Sequence, residues 1–166
     1  SGSWGYHRDE MTWKSVKQLL WMLVDTVSKG GNLLLNVGPT ARGELDYRAL
    51  ERLEGMGEWM RVCNRSIYGC TASRFTPPPD CRYTQNGKRL YLHIMEWPFG
   101  GTFLKGLAGK VEYAQLLHDA SEVKVKDVPK EKNPHRLGWP GGDHVSLTLP
   151  VVKPHVEIPV VELFLK

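Results

Sequence analysis

Apolar residues Val16, Leu19, Leu20, Leu23, Val24 and Val27 recur at i, i+3, i+4, i+7, i+8 and i+11, the stripe of an amphipathic helix. Ser15 and Gln18 form a capping-box pattern at its start, and Lys29-Gly30-Gly31 ends it, so the spacing predicts a helix over 15–29. Leu33, Leu34, Leu35 and Val37 then run on without alternation. The run is too short for a buried helix and predicts a strand covered on both faces, the usual state of parallel strands in α/β folds. Tyr47, Leu50, Leu53, Met56, Gly57 and Met60 restore the helical period and predict a second helix over 46–62 with Asp46 as N-cap. A buried strand needs backbone partners, and this half of the chain supplies none, so the rest of its sheet is expected to lie elsewhere.

From about residue 64 the period shortens to two. Leu90, Leu92 and Ile94 alternate with Tyr91, His93 and Met95. Asn86-Gly87 before this run predicts a type I′ hairpin turn with both residues at positive φ. Further strands are expected at Ser66–Thr71, Thr102–Leu104, Val111–Leu117, Glu122–Val128, His144–Leu149 and Val160–Leu165, with a break at the prolines 77–79. Many short strands separated by turn residues indicate an antiparallel sandwich. Two domains follow: an α/β segment over 1–63 and a β-sandwich over 64–166.

Composition narrows the classes. The chain has 166 residues and 41% hydrophobic content, enough for a real core but too few for a complete α/β barrel of about 250 residues. Its net charge of +4 is not gathered into a Lys/Arg block, so no nucleic-acid partner is expected. No apolar run reaches membrane length, and no membrane partner is expected. The histidines at 93, 118, 135, 144 and 155 lack ligand spacing, and neither a metal nor another cofactor is expected. Cys63, Cys70 and Cys81 are odd in number and fit reduced thiols, with one bridge between nearby strands left open. Asn64-Arg65-Ser66 matches a glycosylation acceptor. Ser1-Gly2-Ser3 carries no initiator Met, so the true amino terminus is expected upstream and the compartment is left undetermined.

Three places carry candidate chemistry. Trp4-Gly5-Tyr6 is an aromatic cluster in a loop that serves either as a pocket wall on which sugars stack or as an anchor into the core. Asp9 and Glu10 are adjacent carboxylates, but neighbouring side chains diverge, and a solvated turn is expected rather than an acid–base pair. Asn36 stands near the carboxyl end of the predicted strand, where ligands of parallel α/β proteins gather; it either lines that site or holds the turn at Gly38-Pro39.

Taken together, Ser3-Trp4-Gly5-Tyr6, the run from Leu23 through Ser28-Lys29-Gly30-Gly31-Asn32-Leu33-Leu34-Leu35-Asn36-Val37-Gly38-Pro39, Gly57-Glu58-Trp59-Met60 and Ser66-Ile67-Tyr68-Gly69 resemble the carboxyl-terminal part of the α-L-fucosidases of glycoside hydrolase family 29. The resemblance is strongest over about the first 70 residues. It implies a (β/α)8-like barrel whose last helix–strand–helix is present here, followed by the sandwich. It also implies a retaining enzyme that removes terminal α-L-fucose from glycans, with an Asp nucleophile and a Glu acid/base, neither of which falls in this chain. Retaining hydrolysis needs two carboxyl groups about 5–5.5 Å apart, and no pair here offers that. Trp4 and Asn36 are the residues expected to bind substrate. The implied partners are a fucosylated glycan and the remainder of the barrel. One departure is that the family's usual Asn-Gly-Glu before Ile-Tyr appears here as Cys63-Asn64-Arg65-Ser66.

A second class stays open, a noncatalytic carbohydrate-binding or structural sandwich in which exposed Trp97, Trp139 and Tyr83 stack on sugars. The helix–strand–helix before the sandwich argues against a free-standing module.

Overall fold

A computed structural model describes residues 2–129 and 142–166; Ser1, His135 and Trp139 lie outside the described residues. Helix α1 spans Val16–Ser28 and helix α2 spans Tyr47–Cys63, followed by a 3-10 turn over Asn64–Ser66. Both helices start where their caps predict. Ser15 accepts the Gln18 amide while the Gln18 side chain accepts the Ser15 amide at 2.8 Å, and the Asp46 carboxylate accepts the Arg48 amide at 2.9 Å. The α1 stripe is buried at Leu19, Leu20, Val24 and Val27. On α2 the buried face is Ala49, Trp59 and Cys63, rotated from the predicted one, with Tyr47 and Leu50 exposed. The neighbouring elements choose that face. At the crossing, a Cβ on Gly55 would lie 2.7 Å from Val16 Cγ2, so the bare glycine is what lets the helices approach.

The β half forms two antiparallel sheets. Strands β1 (Cys81–Asn86), β2 (Arg89–Ile94), β4 (Val111–Leu116) and β7 (Val160–Leu165) make one in the order β1-β2-β7-β4. Strands β3 (Gly101–Lys105), β5 (Lys124–Asp127) and β6 (His144–Thr148) make the other in the order β3-β6-β5. Leu90, Leu92, Ile94, Val161 and Leu163 of the first sheet share a core with Leu104, Val145 and Leu147 of the second. The hairpin is displaced by one residue from expectation. Asn86 pairs with Arg89, so Gly87-Lys88 is the turn, and of the two only Gly87 has positive φ, at 53°. That pattern is type II′, with glycine at the first central position. The strand expected at Ser66–Thr71 is instead the 3-10 turn and a loop that contributes one bridge, Thr71 to Gln85.

No strand forms over 30–39. Leu34 is 94% exposed. An apolar run becomes a strand only when neighbours take its amides and carbonyls, and the described residues offer it none.

The four-stranded sheet is apolar on its outer face too. There Tyr91, Met95, Leu117, Ile158 and Val160 meet Leu20, Val24, Val27, Trp59 and Cys63 in a second core, which makes three layers: helices, four-stranded sheet, three-stranded sheet. Polar ties reinforce it. The Trp59 indole donates to the Ile158 carbonyl at 2.8 Å, and Arg82 on β1 donates to Asp25 on α1 at 2.7 Å. The carboxyl of Asp25 is held below its ordinary range by Lys29 and then Arg82.

His93 on β2 is fully buried in this interface. The Thr84 hydroxyl donates to the Ser66 carbonyl at 2.6 Å and lies 2.9 Å from His93 Nε2. Its single proton is thereby used, so Nε2 carries the imidazole hydrogen and Nδ1 is left without a partner. Burial pushes the His93 pKa down to about 3. The unfolded chain therefore binds a proton between that value and its ordinary pKa of 6.5, and stability falls as pH drops through this window. The loss between pH 6.5 and 5 is expected to be about 1.5 kcal/mol. His93→Leu should flatten the melting temperature over that interval; parallel wild-type and variant curves would show that His93 carries no such linkage.

Candidate functional site

The amino-terminal segment is clamped by two arginines of α2. Arg48 donates to the Glu10 carbonyl at 2.9 Å and to the Arg8 carbonyl at 3.1 Å. Its guanidinium is oriented by a two-pronged pair with Asp46, at 2.8 and 3.0 Å. Arg48 holds the Asp46 carboxyl down to about 2, so the pair stays charged until the pH falls near that value. Arg52 donates to the Lys14 carbonyl at 3.1 Å. Both guanidinium groups lie over the Trp13 ring, at 4.9 and 5.7 Å, and the Trp13 indole donates to the Glu10 carbonyl at 2.9 Å. Sequence reasoning missed this clamp. Arg48 and Arg52, four apart on α2, carried the only signal, and their targets are backbone carbonyls that no pattern marks.

The clamped segment is laid against residues 35–38. A Cβ on Gly38 would collide with the Tyr6 amide nitrogen and lie 2.7 Å from the Gly5 carbonyl carbon, so the two motifs touch backbone to backbone. Beside that contact the Asn36 amide donates to the Trp4 carbonyl at 2.5 Å. The two residues predicted to bind substrate are thus brought together, and Asn36 holds the loop that carries Trp4. The Trp4 ring itself is 92% exposed, so it is no core anchor within this chain. Beneath lies a small pocket of about 90 Å³ lined by Tyr6, His7, Trp13, Asn36 and Arg52 among others. That is well below the roughly 300 Å³ at which ligand pockets begin.

Asp9 and Glu10 form a solvated turn. Asp9 is exposed beside Arg8. Glu10 accepts the Thr12 hydroxyl and the Thr12 amide, and these bonds lower its pKa. A glycosidase acid needs its pKa raised. Tyr83, expected to be exposed for stacking, is buried because its strand turns it into the core between the sheets. Trp97 is half-buried against the same core and donates to the Pro150 carbonyl at 3.0 Å. All three cysteines are free, and burial pushes the Cys63 and Cys81 thiols to about 12, which makes them unreactive. Among the described residues no cluster of His, Cys, Asp or Glu has metal-binding geometry.

Comparison with known proteins places this geometry. A family model described as Alpha-L-fucosidase matches residues 1–65. The chain is 35% identical over 130 residues to plasma alpha-L-fucosidase of Homo sapiens, covering 74% of this chain and 27% of that protein. It is 36% identical over 158 residues to tissue alpha-L-fucosidase of Homo sapiens, covering 82% and 34%. Among solved structures, alpha-L-fucosidase isoenzyme 1 from Paenibacillus thiaminolyticus superposes with a TM-score of 0.86 at 39% identity, over 98% of this chain and 37% of that one. The chain therefore spans about a third or less of the curated relatives it matches. With the motifs in order, the helices and sheets superposing and the identity running across both halves, the chain belongs to the α-L-fucosidases of glycoside hydrolase family 29, as their carboxyl-terminal portion.

Proposed function

We propose that this chain is the end of the catalytic barrel, over 1–63, and the buttressing sandwich, over 64–166, of a retaining α-L-fucosidase that releases terminal α-L-fucose from glycans. The observation that carries the reading is the superposition of nearly the whole chain on a bacterial alpha-L-fucosidase. Two features support it. Among the described residues the apolar segment 33–37 has no sheet partner and leaves Leu34 in water, the condition of a barrel strand without its neighbours. Trp4 is exposed and held in place by Asn36, as an aromatic that stacks on a sugar face must be.

In this reading the nucleophile and the acid/base lie in the remainder of the barrel. This chain supplies Trp4 as a wall of the fucose site, Asn36 as its tether and α2 as the clamp beneath. An exposed indole binds well only if its backbone is fixed beforehand, because ordering a loop on binding costs affinity.

The purified chain is expected to hydrolyse an aryl α-L-fucoside no faster than blank. Turnover removed by mutating Asp9 or Glu10 would overturn the assignment of both carboxylates to the missing part. In the complete enzyme Trp4→Ala should lower kcat/KM at least tenfold, about 1.4 kcal/mol or more of transition-state binding. Asn36→Ala should give a smaller fall in the same direction with the melting temperature little changed. Unchanged kinetics for both would remove them from the site. Amides of Leu33, Leu34 and Leu35 should exchange much faster than those of Leu90, Leu92 and Ile94 in the chain alone, and become protected in the complete enzyme. Equal protection of both sets in a monomeric chain would refute the barrel-strand assignment.

A further inference from the structure

The outer face of the four-stranded sheet is covered unevenly, and its cross-strand rows show where cover ends. The row Arg82, His93, Val160 lies under the helices. The next row, Thr84, Tyr91, Glu162, Gln115, is roofed only partly by Arg65 and the residues after it. The last row, Asn86, Arg89, Phe164, Tyr113, is open.

At the border of the open row stands an excess of positive charge. The Glu162 side chain is 3% exposed. It accepts from Gln115 at 2.8 Å, Arg65 at 3.1 Å and the Tyr91 hydroxyl at 3.3 Å. These bonds satisfy a buried carboxylate, and Arg65 alone balances its charge. Yet a second guanidinium, Arg89, stands 3.7 Å from the other oxygen, so two cations flank one anion. Among the described residues no hydrogen bond runs from the Arg89 guanidinium to a protein acceptor. Its guanidinium is held by stacking, 3.6 Å above the Phe164 ring, and Tyr113 packs edge-on against the same ring at 5.4 Å. The Arg65 and Arg89 side chains are 59% and 45% exposed, so their free N–H groups face water. A stacked guanidinium loses little freedom when it binds a planar or tetrahedral oxyanion in two-pronged fashion.

We propose that Arg89 and Arg65, with Tyr113 as the adjoining wall, form a binding site for acidic glycans, in which the arginines take a sulfate or carboxylate group and the tyrosine ring takes the apolar face of the sugar that carries it. The charge balance selects an anion: the Arg65–Glu162–Arg89 cluster is net positive. The aromatic wall beside it selects an oxyanion borne on a sugar ring over a free ion. The choice of a glycan rests on the fucosidase reading, and the site would hold a glycan on the sandwich by groups other than its fucose.

The test measures binding and not hydrolysis, so that its failure and that of the fucosidase reading are separable. The chain is titrated calorimetrically with a sulfated chondroitin tetrasaccharide, its desulfated and carboxyl-reduced counterpart, and sodium sulfate. The sulfated sugar should bind, with affinity falling as salt rises, and the neutral sugar and sulfate ion should each bind at least tenfold more weakly. Arg89→Ala should weaken binding at least tenfold, and Tyr113→Ala several-fold, without lowering the melting temperature by more than a few degrees. Glu162→Gln removes the opposing charge and should bind the sulfated sugar more tightly, a result that a merely structural cluster would not give. Absence of binding, equal binding of the neutral sugar or of sulfate alone, or an Arg89→Ala variant that binds like wild type would each overturn the proposal. A complete enzyme that still cleaves fucosides would then leave the fucosidase reading standing.

Discussion

The structure depends on one requirement: the four-stranded sheet is apolar on both faces and must be covered twice. Leu90, Leu92, Val161 and Leu163 face the second sheet, while Tyr91, Met95 and Val160 face the other way. Only the helices can bury that second set. Removing Leu20 and Val24 of α1 from water contributes about 1.5–3 kcal/mol each, and both are fully buried there. The polar groups trapped in the interface are matched almost completely, by Trp59 to Ile158 and by Thr84 to Ser66 and His93. The Nδ1 atoms of His93 and of His118 beside α2 are exceptions among the described residues, and the burial of His93 turns the interface into an acid-sensitive one.

Once the helix layer is seated, the candidate site follows from it mechanically. The sheet fixes α2 through Trp59 and Cys63, and α2 presents Arg48 and Arg52 to the amino-terminal segment. That segment then runs close enough to Gly38 for Asn36 to reach the Trp4 carbonyl. The steps are apolar packing, charge-assisted hydrogen bonds from the arginines, a close backbone contact and a neutral amide-to-carbonyl hydrogen bond, all of which weaken steeply with distance. A shift in the helix layer would therefore be felt at Trp4, far along the chain from the sheet that holds the layer in place.

Where the helices stop, the same sheet face changes character from apolar to charged and aromatic. Glu162 lies at that boundary. A carboxylate this deep needs a full set of donors, and it obtains them from β2, β4 and the turn after α2. Arg65, within Cys63-Asn64-Arg65-Ser66 after α2, supplies one of those donors.

Much was legible in the sequence because it depends on local rules. The capping box at Ser15 and the Asp46 cap set the helix starts through hydrogen bonds within one turn. Alternation at 90–95 set a strand whose every second residue enters a core. Trp4 and Asn36 stood out as a loop aromatic and a polar residue at the end of an apolar run, and the structure joined them. What failed was decided at a distance. Leu33–Val37 has the composition of a strand but finds no partner among the described residues. Tyr83 has the composition of a stacking residue but the parity that buries it, since which face of a strand is inside depends on where the other sheet lies. The hairpin slipped by one residue because pairing across β1 and β2, and not the Asn-Gly dipeptide alone, chose the turn. The sequence by itself determined the caps, the periods and the family motifs, all set by neighbours a few residues away. Tertiary structure alone decided the arginine clamp on backbone carbonyls, the rotated face of α2 and the two guanidinium groups around Glu162, because these join residues distant in sequence whose meeting depends on how sheets and helices stack.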